Sequence, residues 1–192
     1  MKIKYPTPKK ENPQQTSNLN RSRGMLFENE LNKSNEYYLI NNIAVIYKKP
    51  TPVRIVKVEY PSRSHAKIVE AYYQTPSTTD YNGLYKGRYI DYEAKETNSL
   101  SFSFSHIFSH QVSHLKKIDE QGGIAFVIIF FKKINKIYMI DIKPFYKLYN
   151  ESLSTNKKSI KHSDIESIGG LEVSTGYAPL IDYLKQVDKM YF

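Results

Sequence analysis

The sequence contains no cysteine and no run of apolar residues long enough to cross a membrane. The absence of cysteine excludes disulfides and thiolate metal sites, and it fits a reducing compartment. The longest apolar run, at positions 124–131, has the length of a β-strand, whereas a membrane span needs about 18 residues. The N-terminal residues lack the apolar centre of a secretory signal. We therefore expect a cytoplasmic protein without a membrane partner.

Acidic residues are scarce relative to basic ones. The 192 residues include 28 Lys and Arg against 19 Asp and Glu, which gives a net charge of +9. Residues 1–60 hold eleven of the basic side chains and only five of the acidic ones. Such a chain is attracted to polyanions, because each phosphate that it neutralises releases counterions. This favours nucleic acid as the partner, although a well-solvated basic surface, or one facing a ribosome or lipid, has the same composition.

The chain has the length and composition of one globular domain with additions. Residues 1–20 contain three prolines and too few apolar side chains to pack, which predicts a flexible basic arm before a domain over 21–192. Apolar residues recur at helical spacing between 24 and 35, which predicts the first helix. Positions 43–48 are rich in β-forming residues and predict a strand.

The segment that follows predicts a projecting two-stranded stalk, an insertion over about residues 53–75. Positions 53–60 and 67–73 have strand character, and a Pro-Ser-Arg-Ser turn separates them. Tyrosines are interleaved with basic residues on both strands. The side chains that we expect to contact DNA phosphates here are Arg54, Lys57, Arg63 and Lys67.

The rest of the chain predicts a mixed α/β sheet flanked by helices. The strands at 124–131 and 137–142 are almost entirely apolar, so helices should cover both faces of the sheet. A hairpin is predicted at 81–96, with its turn at Lys86-Gly87. The predicted helices lie at 105–120, near 144–149 and 163–168, and from about 179 to 191.

The most informative segment is the strand that contains Glu93 and Lys95. Side chains alternate along a strand, so these two project from the same face, while Tyr92 and Ala94 project from the other. Asp80 enters the paired strand of the hairpin and can supply a second carboxylate. Two carboxylates and an ammonium group are what Mg²⁺-dependent phosphodiester hydrolysis requires. The alternative is an exposed Glu-Lys pair and an ordinary turn at Asp80.

Three longer strings in this part of the chain are distinctive: STTDYNG at 77–83, YKGRYID at 85–91 and EAKET at 93–97. Four shorter ones are KKPTPV at 48–53, RG at 23–24, GYAP at 176–179 and IDY at 181–183. Together these strings resemble the RecU family of Holliday junction resolvases. The resemblance extends from about residue 20 to residue 192, and its motifs are far more specific than Glu-x-Lys.

The resemblance implies a restriction-endonuclease-like fold, a homodimer with two active sites, and a stalk that enters the centre of the junction. By position it implies that Thr78, Asp80, Glu93 and Gln111 bind Mg²⁺, with Mn²⁺ as a substitute. It also implies that Lys95 stabilises the transition state. The spacing from Glu93 to Gln111 is one residue shorter than the family pattern.

Other residues near these motifs have more than one interpretation. Arg23 is expected to contact DNA, but Ser22 stands where the family often has Asn. Glu28, on the first helix, is either an accessory carboxylate at the metal site or an exposed helix charge. Three histidines at four-residue intervals are either a zinc site or, as we favour, a polar face near DNA. They are His106, His110 and His114.

The sequence therefore predicts a structure-selective endodeoxyribonuclease that resolves Holliday junctions by paired, Mg²⁺-dependent hydrolysis in recombination and DNA repair. Its expected partners are a four-way DNA junction, a second copy of the chain, and recombinase or branch-migration proteins. Two alternatives remain open. One is a non-catalytic DNA-binding recombination-accessory protein of the same fold, and the other is a sequence-specific restriction-type endonuclease.

Overall fold

The structure is a computed structural model that describes residues 15–63, 65–74 and 78–192, with side chains from residue 26 onward. The α-helices in this part of the chain are α1 (Gln15–Ile40), α2 (Ser109–Glu120), α3 (Ile142–Ser154) and α4 (Leu184–Tyr191). The strands there are β1 (Val45–Lys48), β2 (Val53–Ser62), β3 (His65–Tyr73), β4 (Tyr81–Tyr85), β5 (Arg88–Thr97), β6 (Ser101–Ser103), β7 (Ile124–Phe131), β8 (Lys136–Asp141), β9 (Ser159–Lys161) and β10 (Leu171–Val173).

Six strands form one mixed sheet in the order β1-β4-β5-β7-β8-β10. β5 and β7 run parallel, and the other neighbouring pairs are antiparallel. The β4–β5 turn has left-handed backbone at Lys86 (φ 47°) and Gly87 (φ 77°), which suits a two-residue hairpin turn. β1 and β4 approach closely at Gly83, where a Cβ atom would lie 2.0 Å from the carbonyl oxygen of Val45. This sheet with its helices confirms the predicted fold class.

Helices cover both faces of the sheet, as the apolar central strands predicted. One core contains Phe27 and Leu31 of α1 together with Val187 of α4. The other contains Leu115 of α2 and Phe145 of α3. Since each face of β7 is covered, nearly all of its side chains are buried. In the described ranges, no helix has both the length and the apolar character needed to cross a bilayer.

β2 and β3, which lie in the segment of the predicted stalk, form a separate two-stranded sheet whose side chains are nearly all exposed. Its base is closed by a hydrogen bond from the backbone N–H of Gln74 to the carbonyl oxygen of Pro52 (2.9 Å). Glu59 and Glu70 offset part of the basic charge, and Lys57 lies 3.4 Å from Glu59. The exposed basic side chains are Arg54, Lys57, Arg63 and Lys67.

Several element boundaries differ from the sequence prediction, and the short helix predicted near 163–168 is a pair of 3-10 turns, His162–Asp164 and Glu166–Ile168. α1 begins at Gln15, so residues 15–20 are helical and not part of an arm, whereas residues 1–14 lie outside the described part. The predicted helix at 105–120 is split into a short 3-10 turn, Phe104–His106, and α2. The final helix begins at Leu184, because the preceding residues form a tight turn in which Gly176 N–H donates to the Leu180 carbonyl (3.0 Å).

Candidate active site

The pleat of β5 separates its polar and apolar side chains. Tyr92 is buried in the core with α1, and Ala94 packs against the same core. Glu93 and Lys95 project from the opposite face, where α2 packs against β5. β5 therefore carries the fully buried carboxylate of Glu93 on the face that packs against α2.

Glu93 is surrounded by three groups that hold its carboxylate. Its Oε1 lies 2.5 Å from Nζ of Lys95 and accepts a hydrogen bond from Nε2 of Gln111 (2.7 Å). Its Oε2 accepts a hydrogen bond from the backbone N–H of Asp80 (3.1 Å). The Asp80 carboxylate in turn accepts from the backbone N–H of Ala94 (3.4 Å). The structure thus brings Asp80, Glu93, Lys95 and Gln111 together.

The electrostatic environment of Glu93 is unfavourable for a negative charge. Burial, and after it the nearby negative charge of Asp80, raises the pKa of Glu93 from 4.5 to about 7, although Lys95 opposes this shift. Two carboxylates held close together repel each other, and a divalent cation between them relieves that repulsion. The pair is therefore suited to binding a hard cation.

Asp80 also lines a cavity of about 310 Å³ at the base of the stalk. Thr78 lines the same cavity, and so does Glu28 from α1. The Glu28 carboxylate forms an ion pair with Lys48 at the end of β1. Pro50 and its neighbours, which lead from β1 into the stalk, form another wall of the cavity. The stalk and the candidate site are therefore contiguous.

The donor set fits Mg²⁺ better than a softer metal. Carboxylate and hydroxyl oxygens of Asp80, Glu93 and Thr78 are the hard ligands that Mg²⁺ prefers. The Gln111 amide nitrogen faces Glu93, while its oxygen accepts a hydrogen bond from the Phe108 N–H (3.1 Å). Across the described residues there is no group of three or more His, Cys, Asp and Glu side chains suited to a metal. Water or a DNA phosphate would have to complete the coordination shell.

The three histidines make separate contacts and form no metal-binding group among the described residues, so nothing supports the zinc alternative. His106 packs edge-to-face against Phe102, and His110 stacks on Phe108 with ring centroids 5.5 Å apart. His114 instead reaches Asp91, with its Nε2 3.0 Å from the carboxylate. Of the three, His114 is the one that contacts a carboxylate on the site face of β5.

A second polar cluster next to Glu93 was not predicted from the sequence. Its centre is Asp91, which is completely buried and contacts Lys49, Thr79, Tyr89 and His114. Strand alternation could have indicated it, because Asp91 lies two positions before Glu93 and so faces the same side of the sheet. The side chain of Arg23, by contrast, lies outside the described residues, and its role in DNA binding stays a prediction.

Comparisons with known proteins agree with these motifs. The model of the family described as "Recombination protein U" matches residues 22–189. Curated proteins from Bacillus cereus (strain B4264) and Bacillus cytotoxicus are 48% identical to this chain over 200 residues, and one from Bacillus thuringiensis (strain Al Hakam) is 47% identical. Each alignment covers 100% of both chains, and each of the three proteins is named Holliday junction resolvase RecU.

Among solved structures, the chain is similar to Hjc, a Holliday junction resolvase from Archaeoglobus fulgidus. The TM-score is 0.40 at 14% identity, and the match covers 79% of this chain and 92% of that one. The family-model match and the full-length identity to the curated relatives show that this chain belongs to the RecU family.

Proposed function

We propose that this protein is a structure-selective endodeoxyribonuclease that resolves four-way DNA junctions in recombination and repair. The observation that carries the proposal is the grouping of Asp80, Glu93 and Lys95 at the base of an exposed stalk. Family membership supports it, since the curated relatives are named Holliday junction resolvases. We also propose that the protein acts in the cytoplasm, where a bacterial cell keeps its DNA.

Asp80 and Glu93 would hold Mg²⁺, or Mn²⁺ in its place, with Thr78 as a further contributor. Gln111 would contribute only after its amide oxygen is released from the Phe108 N–H and turned toward the cation. When bound, the cation supplies an activated water and neutralises charge on the scissile phosphate. Glu28 is close enough to serve as an accessory carboxylate, because it lines the same cavity as Asp80. Its ion pair with Lys48 would first have to open.

Lys95 is suited to stabilising the negative charge that develops on the phosphate. Its side chain is only 21% exposed and its ammonium group already contacts Glu93, so its position is fixed before DNA arrives. A mobile lysine would have to be ordered during the reaction. Lys95 would therefore act on the transition state more than on binding, and its loss should affect cleavage far more than affinity.

The stalk would provide selectivity for junctions. Its four basic side chains are exposed and can contact phosphates without reading sequence. Tyr60, Tyr72 and Tyr73 on the same hairpin are more than half exposed and offer flat surfaces for stacking on unpaired bases. An open four-way junction has a central gap that admits the hairpin, and a continuous duplex has none.

Resolution requires two cuts, so we propose that the active form is a homodimer. The outer face of β1 and β4 supports this, because apolar side chains on it remain exposed. They are Val45, Tyr47 and Leu84. A recombinase or a branch-migration protein is a further expected partner, since resolution must be timed with strand exchange.

The first experiment separates a nuclease from a non-catalytic DNA-binding protein. Glu93→Ala and Lys95→Ala should each retain junction binding but reduce Mg²⁺-dependent cleavage by about 100-fold or more. Glu172→Ala, which removes an exposed ion pair with Lys136 far from the site, is the control and should cleave normally. Normal cleavage by both site variants would rule out this site, and no cleavage by the unaltered protein would rule out the nuclease.

The second experiment separates a junction resolvase from a restriction-type endonuclease. We would replace residues 53–74 by a short Gly-Ser turn and compare a four-way junction with a duplex of the same sequence. The replacement should abolish the preference for the junction while the protein remains folded. An unchanged preference would mean that the stalk does not select the substrate, and sequence-dependent cleavage of the duplex would favour a restriction-type enzyme.

A further inference from the structure

The second polar cluster is more than a buried ion pair, because it links four separate segments of the chain. The Asp91 carboxylate is fully buried on β5. Its partners come from the residue just after β1, from the segment before β4, from β5 itself and from α2. They are Lys49 (2.8 Å), Thr79, Tyr89 (3.2 Å) and His114 (3.0 Å).

Two of these partners, Lys49 and Thr79, also hold Asp80, a residue of the candidate cation site. Nζ of Lys49 donates to Oγ1 of Thr79 (2.8 Å) as well as to Asp91. The backbone N–H of the same lysine donates to the carbonyl oxygen of Asp80 (2.7 Å). Thr79 is 3% exposed and precedes Asp80 in the chain. Asp80 is therefore anchored on both sides by groups that Asp91 holds.

A third partner fixes α2 against the same strand. Gln111 and His114 lie three residues apart and so share one face of the helix. Gln111 contacts Glu93, and His114 contacts Asp91, two positions earlier on β5. These parallel contacts hold the helix in register with the strand. The neighbours of Glu93 thus depend on Asp91 as well.

We propose that Asp91 is a positioning residue that forms the divalent-cation site before the cation arrives. It fixes Lys49 and Thr79, and through them it holds the Asp80 carboxylate beside Glu93. The two carboxylates repel each other, so without this anchor Asp80 would move away, and cation binding would also have to order the segment 78–80. Asp91 itself contacts neither cation nor DNA. The inference rests on the proposed nuclease function and names a residue that supports it.

The variants are chosen to separate positioning from general stability. Asp91→Asn replaces the carboxylate by an amide that cannot accept hydrogen bonds from all four partners. Thr79→Val replaces only a hydroxyl group by a methyl group. This second variant tests the proposal if Asp91→Asn does not fold. Lys49→Arg keeps a charged donor and should be the mildest change. Lys132→Met removes a comparably buried lysine, 16% exposed, from its ion pair with Glu96 and serves as the control.

Two measurements do not depend on cleavage. Calorimetric titration of the metal-free protein with Mg²⁺ should show about tenfold weaker binding or worse for Asp91→Asn and Thr79→Val, the usual range for the loss of an outer-shell partner. Hydrogen exchange of the Asp80 amide, which donates to Glu93, should become about tenfold faster or more, while amides in the centre of β7 change much less. Lys49→Arg should remain close to the unaltered protein in both, and Lys132→Met should change neither.

Each result decides a different question. If Asp91→Asn and Thr79→Val bind Mg²⁺ normally and keep the slow Asp80 amide, Asp91 only stabilises the fold, and the proposal is wrong. If amide hydrogen exchange becomes uniformly faster throughout the sheet, Asp91 likewise only stabilises the fold and the proposal is wrong. If the unaltered protein binds Mg²⁺ but cuts no junction, the nuclease assignment fails while the positioning role stands. If the unaltered protein binds no Mg²⁺, both fail.

Discussion

Replacing Glu93 by glutamine should make the metal-free protein more stable at neutral pH while abolishing its activity. The pKa of Glu93 is raised from 4.5 to about 7 in the folded protein, mainly by burial. Between these two values the folded state binds a proton that the unfolded chain releases, so the free energy of unfolding falls as the pH rises through this window. The difference between the two pKa values corresponds to a loss of about 3 kcal/mol in the free energy of unfolding at pH values above this window. Glutamine has no charge to bury and avoids this cost.

Urea unfolding in the presence of a chelator measures the effect. At about pH 8, Glu93→Gln should unfold at a urea concentration about 1.5 M higher than the unaltered protein, for a denaturant slope of about 2 kcal/mol/M. At about pH 4.5 the two proteins should unfold at nearly the same concentration, because Glu93 is then protonated. Added Mg²⁺ should stabilise the unaltered protein and leave the variant unchanged. The exposed Glu172→Gln is the matched control and should follow the unaltered protein. A variant that is equally stable or less stable at about pH 8 would refute the reasoning.

Three further predictions concern the framework and the stalk. Gly83→Ala should lower the free energy of unfolding by about 3 kcal/mol or more in urea titration, because the alanine Cβ would collide with the backbone of β1. A decrease of less than about 1 kcal/mol would mean that β1 is not held against β4. Arg88→Ala should lower the free energy of unfolding by about 2 kcal/mol in the same assay, because the Arg88 guanidinium donates to the carbonyls of Gly122 (2.8 Å) and Tyr191 (3.2 Å). Arg88→Lys should recover only part of this loss, and full recovery by lysine would exclude the several hydrogen bonds of the guanidinium as the cause. Replacing Lys57 and Lys67 by alanine should reduce the salt dependence of junction binding by about one log unit per log unit of salt for each phosphate that is no longer neutralised, and an unchanged slope would place the DNA elsewhere.

Much of the fold follows from local patterns. The apolar run at 124–131 could only be a strand covered on both faces, and the alternation along β5 correctly separated Tyr92 from Glu93. Helix ends were harder to predict. The turn before α4 depends on contacts with α1, such as the hydrogen bond from the backbone N–H of Ile181 to Ser34 (2.9 Å). A pattern within the segment does not contain that information.

The candidate site was predictable where its residues lie close together in the chain. Glu93 and Lys95 share a strand, and Asp80 lies at the start of the paired strand of the same hairpin, so local pairing brings them together. Lys49 could not be found this way, because it reaches Asp91 only after β1 pairs with β4. The same holds for His114, whose contact requires α2 to pack on β5. Long-range packing, and not local propensity, determines these contacts.

The antiparallel pairing of β2 with β3 restricts how the length of the stalk can change. Successive residues of a strand face opposite sides, so deleting one residue from each strand would turn every remaining side chain on the distal part to the other side. Deleting two from each would keep the orientation and shorten the hairpin by about 7 Å. Outside the irregular positions of β2, variation in length among related proteins should therefore occur in pairs of residues per strand. A hairpin trimmed in such steps would test how far the proposed stalk has to reach into the junction.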